Sequence, residues 1–175
     1  MREALREESL SDFAMNSRNR EASKERDTAQ ELRARALRFL ARREYSRAEL
    51  ARRLASHAPS TEALDALLDS LEQRKQLSDD RYAEQRVRTL SRKYGSGRIR
   101  QELRARGVED QTAASAVRTA ADEDLVRATE ILRRKYREPS TTREERAKRM
   151  RFLQGRGFSF DIIKQALELA AQDGE

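Results

Sequence analysis

The chain has 175 residues, 38 Lys and Arg against 31 Asp and Glu, a net charge of +7, no cysteine and one histidine. That excludes disulfides, thiol chemistry and His/Cys metal centres. With aromatics at 5% and charged residues at 39%, a chain rich in Arg, Ala, Leu and Glu favours helices around thin cores rather than a wide core.

Residues 1 to 31 carry 6 basic and 8 acidic side chains, so this arm is net −2 while the remainder is net +9. The arm lacks a sustained apolar stripe and is expected to be a disordered acidic segment. Its opening, MREALREESLSDF, has no apolar run of signal-peptide length. No stretch approaches the roughly 20 apolar residues of a membrane span. A cytoplasmic protein without membrane contact is expected.

From residue 32 an internal register becomes visible. Shifting by 49 residues backward or 50 forward aligns Leu103 with Leu54 and Leu153, and Ala113 with Leu64 and Ile163. Ala116 then meets Leu67 and Ala166, Val117 meets Leu68 and Leu167, Ala120 meets Leu71 and Ala170, and Gly107 meets Ala58 and Gly157. One column breaks, because Ile99 matches Leu50 but falls on Arg149. The third copy is expected to pack that turn differently, with Met150 as the candidate replacement. Each copy also has a preceding helix that ends in a basic stretch and a tyrosine: Tyr45, Tyr94 and Tyr136. The three tyrosines read as packing residues.

The apolar spacing inside each copy is helical, as in Leu64, Leu67, Leu68 and Leu71, which share one face at i, i+3, i+4 and i+7. Ser46 with Glu49, Thr142 with Glu145, and Ser78 followed by Asp79 and Asp80 mark helix starts. Gly107 and Gly157 suit helix C-terminal turns. The first copy is predicted as helices over 32–43, 47–57 and 61–74, and the second over 78–94, 97–106 and 110–121. The third is predicted over 122–137, 143–155 and 160–171. The fold class is therefore all-α, an elongated array of three tandem three-helix repeats with about nine helices. The repeats span 32–76, 77–121 and 122–175. The middle repeat has Ala113, Ala116 and Ala120 on its third helix, where a Leu would add roughly 1 to 2 kcal/mol of transfer free energy each. Such weak units depend on their neighbours.

Gly95, Ser96 and Gly97 could cradle a phosphate, but no strand precedes them and no Gly-Lys-Ser/Thr follows. A turn into a helix held by Ile99 and Leu103 is the stronger reading. His57 reads as a C-terminal helix residue favourable to the dipole rather than a catalytic base. Asp79 and Asp80 point apart on a helix and suit its N-terminus better than a metal. No catalytic constellation, metal or cofactor is expected.

Residues 81 to 107 hold nine basic side chains against Glu84 and Glu102. The candidate binding residues in and beside this run are Arg92, Lys93, Arg98, Arg100, Arg104 and Arg106. Comparable clusters lie on the other second helices, with Arg47, Arg52 and Arg53 in the first repeat and Arg146, Lys148, Arg149 and Arg151 in the third. Such arginines pair with phosphates or with carboxylates of a protein partner; the plainer reading of any single one is a solvated helix surface.

The run LSDDRYAEQRVRTLSRKYGSGRIRQELRARGV, residues 77–108, closely resembles the central segment of the RecX family of bacterial recombination regulators. ALRFLARREYSRAELARRL, residues 36–54, resembles the family's first repeat, and RFLQGRGFSFDIIKQAL, residues 151–167, its last. The resemblance covers approximately residues 33 to 171. It implies three tandem three-helix repeats and a modulator of RecA in DNA repair, homologous recombination and the SOS response; a monomer that acts by binding rather than catalysis is expected. Such a modulator lodges in the groove of the RecA filament on single-stranded DNA and inhibits recombinase, ATPase and coprotease activities. The motif residues that carry over are Asp79, Asp80, Tyr82, Ala83, Gly95, Ile99, Leu103, Arg106 and Gly107, most of which read as architectural. The basic helices would then meet acidic protein surface, single-stranded DNA or duplex DNA. The competing reading is a free-standing basic DNA-binding protein with helix-turn-helix-like units. Against it, the second and third helices lack a concentrated set of Asn, Gln and Arg suited to base edges.

Overall fold

The computed structural model describes residues 28–136, 140 and 142–172. The acidic arm expected over 1–31 lies outside the described residues as far as position 27. Nine helices occur among the described residues, and no strand does. They are α1 (Ala29–Leu40), α2 (Arg47–Leu54), α3 (Thr61–Gln73), α4 (Asp79–Leu90), α5 (Ser96–Ala105), α6 (Asp110–Asp122), α7 (Asp124–Lys135), α8 (Arg143–Gln154) and α9 (Phe160–Gln172). No helix among them is long and apolar enough to cross a membrane.

Local chemistry sets the boundaries. Ser78 accepts a hydrogen bond from the Arg81 N–H at 3.3 Å and Thr142 one from the Glu145 N–H at 3.2 Å, as their sequence signals require. The first helix begins at Ala29, three residues before the expected start. Thr28 and Glu31 form a complete capping box there, in which Thr28 N–H donates to Glu31 Oε2 at 2.8 Å. Ser46 and Glu49 have further partners: Ser46 Oγ donates to the Arg106 carbonyl at 2.7 Å, and Glu49 is buried and paired with Arg43 at 2.6 Å. The basic stretches before the three tyrosines lie just beyond or at the ends of α1, α4 and α7. Those helices therefore finish earlier than predicted, at Leu40, Leu90 and Lys135.

Two helix ends turn through the left-handed region at a glycine, Gly107 (φ +83°) and Gly157 (φ +80°), and the end of α3 does so at Lys75 (φ +57°); the two glycine turns share one geometry. The Val108 N–H reaches back to the Leu103 carbonyl at 3.1 Å and the Phe158 N–H to the Leu153 carbonyl at 3.4 Å. Val108 and Phe158 are buried there, so each turn carries the 6→1 bond and apolar contact of a Schellman ending.

The described residues form two compact units, one from within 28–45 and 49–77 and the other from within 46–48 and 78–172. The core of the first gathers Leu32, Ala36, Tyr45, Leu50, Leu54, Leu64, Leu68 and Leu71. In the second, one cluster holds Tyr82, Ala83, Ile99, Leu103, Val108, Ala113 and Val117. Another holds Ala128, Leu132, Leu153, Phe158, Ile163, Ala166 and Leu167. These are the register columns seen in the sequence: Leu54, Leu103 and Leu153 are each at most 1% exposed. The three-helix repeats of the sequence are thus three cores.

Candidate functional site

The broken column resolves first. Arg149 stands where Leu50 and Ile99 point inward, and it is buried at 9% exposure with its guanidinium 4.7 Å from the centre of the Tyr136 ring. A flat cation on an aromatic face keeps favourable electrostatics while its stem fills apolar space. Met150 packs against the same core. Sequence proximity puts Arg149 in one basic cluster with Lys148 and Arg151, but the structure separates them: Arg149 faces the core, and the other two face solvent.

The middle repeat has a second surprise. Arg100 grips Asp110 with two bonds, Nε to Oδ1 at 3.2 Å and Nη2 to Oδ2 at 2.5 Å, and Arg104 Nε approaches the same carboxylate at 3.3 Å. The hydrogen bond from Arg100 holds the Asp110 carboxyl below its ordinary value, and the same bond raises Arg100. Arg106 lies 3.8 Å from Glu102, which also pairs with Arg86. Arg98 places its guanidinium 4.9 Å from the Tyr94 ring centre and donates to the Gly155 carbonyl at 3.2 Å. The dense charge of this stretch is therefore largely answered by the chain itself.

The other candidates divide. Arg53 is exposed and lies 5.6 Å from the Tyr45 ring centre and 5.7 Å from that of Phe39. Arg47 is half-buried, and its backbone N–H donates to Asp79 Oδ1 at 2.7 Å. Burial pushes the Asp79 carboxyl up from its ordinary value, the Arg47 bond opposes the rise and Asp80 adds to it. Arg52, Arg92, Lys93, Lys148 and Arg151 are exposed and carry no ion pair among the described residues. Arg92 lines an open cleft with Ser91, Glu123, Arg127, Glu130 and Arg134.

Arg88 belongs with these and was missed. It is exposed in the last turn of α4, one helical turn before Arg92, and lines a neighbouring cleft with Glu84, Ser91 and Arg127. Its signal is the charge of residues 81–107, but it lies on the first helix of the repeat, outside the clusters of the second helices. Also unforeseen was Asp124, buried at 3%, which takes Ser96 and Arg127 as partners. Among the described residues no group of three His, Asp or Glu side chains is placed to hold a metal ion.

Comparison with known proteins places these features in a family. Three family models match in order: RecX, first three-helix domain, over residues 33–71; its second three-helix domain over 78–117; and its third over 122–167. Regulatory protein RecX of Herbaspirillum seropedicae is 44% identical over 142 residues, which cover 81% of this chain and 92% of that protein. Regulatory protein RecX of Neisseria meningitidis serogroup B is 41% identical over 143 residues, covering 82% and 93%. The crystal structure of RecX from Lactobacillus salivarius shares the fold with a TM-score of 0.70 at 22% identity, across 82% of this chain and 97% of that one.

Proposed function

Because this chain belongs to the RecX family of regulatory proteins, we propose that it binds the RecA filament on single-stranded DNA and inhibits its recombinase, ATPase and coprotease activities. Binding, rather than turnover of a substrate, is the mechanism. What supports the reading is the recurrence of exposed cations without an ion pair among the described residues at the second helix of each repeat or just before it. They are Arg52 in the first, Arg92 and Lys93 in the second, and Lys148 and Arg151 in the third. Charges that recur from repeat to repeat along the chain suit a long polyanionic object better than a compact one, since each contact adds a modest increment and displaces counterions.

RecA-dependent ATP hydrolysis on single-stranded DNA, measured with sub-stoichiometric amounts of this protein, tests the proposal. Inhibition is expected. Unchanged hydrolysis together with tight, sequence-specific binding to naked duplex would replace it with the free-standing DNA-binding reading.

A further inference from the structure

The Gly95-Ser96-Gly97 turn does receive an anion, and the anion is a carboxylate of the next repeat. The Ser96 backbone N–H and Oγ both donate to Asp124 Oδ2, at 3.0 and 2.7 Å, so that Asp124 sits at the N-terminus of α5. Its other oxygen pairs with Arg127 at 2.5 Å. A buried carboxylate with charge-assisted partners on both oxygens and a helix N-terminus in front of it is stabilised in one place.

Backbone meets backbone beside it. The Gly95 N–H donates to the Arg156 carbonyl at 2.9 Å. A Cβ on Gly95 would lie 2.8 Å from the Gly157 carbonyl oxygen and the Phe158 nitrogen, and one on Gly97 would lie 2.9 Å from that oxygen. From the other side, a Cβ on Gly157 would come within 2.4 Å of Arg98 Cβ. Three glycines thus allow a contact closer than any side chain permits.

The pattern recurs one register step earlier, inside the same compact unit. The Arg47 N–H donates to Asp79 Oδ1 at 2.7 Å, Ser46 Oγ to the Arg106 carbonyl at 2.7 Å, and a Cβ on Gly107 would meet Ala48 Cβ at 2.3 Å. Asp79 and Asp124 each open the first helix of their repeat. Recurrence in register marks a built joint rather than a chance contact.

We propose that Asp124, Gly95, Gly97 and Gly157 form a joint that holds the second and third repeats in one fixed orientation, and are positioning residues for partner binding. The orientation stands on these contacts alone; the consequence for binding rests on the function proposed above.

The cysteine-free chain allows spin labels on Arg118→Cys and Lys164→Cys, both exposed positions, in the full-length protein. One narrow distance distribution is expected, broadened by Asp124→Ala and by Gly97→Ala. The second variant is decisive because alanine is the better helix former. If Gly97 only shaped α5, its replacement would leave the distribution narrow, and that result overturns the joint. If the joint holds, freeing the repeats until about a tenth of molecules keep the competent orientation weakens filament binding about tenfold. A broadened distribution with undiminished filament binding would overturn the positioning role. A parent protein that does not bind the filament at all would defeat the functional reading, while the distance measurement would still decide the joint.

Discussion

Helices α5 and α8 occupy the same place in consecutive repeats and carry similar basic sequences, yet they spend their charge differently. In α5 the inward column is Ile99, fully buried, and Arg100 and Arg104 are held by Asp110. In α8 the inward column is Arg149, stacked on Tyr136, while Lys148 and Arg151 face solvent without an ion pair among the described residues. Formal charge is thus a poor guide to charge available for a partner. A guanidinium that already has two bonds to a carboxylate must surrender them before it binds an external anion, whereas an exposed lysine surrenders only water.

The column itself provides the largest expected effect. Ile99→Ala removes a fully buried branched side chain from a cluster whose third helix contributes mainly alanine and valine. A loss of about 2 to 5 kcal/mol is expected in urea denaturation. Arg149→Leu, in the same column, should change stability by less than about 1.5 kcal/mol, because the column already holds Leu50 and Ile99 in the other repeats and a well-packed apolar side chain can replace a buried cation at little cost. Equal losses at both positions would show that the third repeat depends on its stacked arginine as the second depends on its isoleucine.

This contrast also marks what could be read from the chain. The cores were legible, because Leu54, Leu103 and Leu153 recur in a helical register that needs no tertiary knowledge. The turn before α5 was legible as a turn for the same reason. Its acceptor was not, since Asp124 lies 28 positions from Ser96 and becomes its partner only when one repeat meets the next. The pairing of Arg100 with Asp110 likewise spans a helix end. Charge composition counts Asp110 as one more solvated acid of α6. Arg149 was visible as an exception, but the aromatic face that accepts it is Tyr136, just past the end of the preceding helix.

Binding should separate the two helices next. Lys148→Glu with Arg151→Glu is expected to weaken filament binding about tenfold, which corresponds to about 1.4 kcal/mol. If both cations face single-stranded DNA, replacing them with neutral glutamines should make the salt dependence shallower by about 1.4 in logarithmic slope. Arg100→Gln with Arg104→Gln should change both quantities far less. The opposite order would mean that Asp110 releases its arginines to the partner, and Asp110→Asn would then tighten binding.

The smallest effect is a titration, and it distinguishes two aspartates that the sequence treats alike. Asp110 is exposed and held below the ordinary carboxylate value of 3.8 by Arg100, whereas Asp79 is raised above it, chiefly by burial. The signs of linkage are opposite. The contribution of Asp110 is present above its unfolded value, near 3.9, and is lost as pH falls through its lower folded value. That of Asp79 is complete below the unfolded value and lost as pH rises through its higher folded one. Carboxyl carbon shifts followed by NMR should show Asp79 protonating before Asp110 as the solution is acidified. Arg100→Gln should raise the Asp110 midpoint and leave that of Asp79 where it was. If Asp110 does not move, its pair with Arg100 is too weak in solution to withhold that arginine, and α5 offers a partner as much charge as α8.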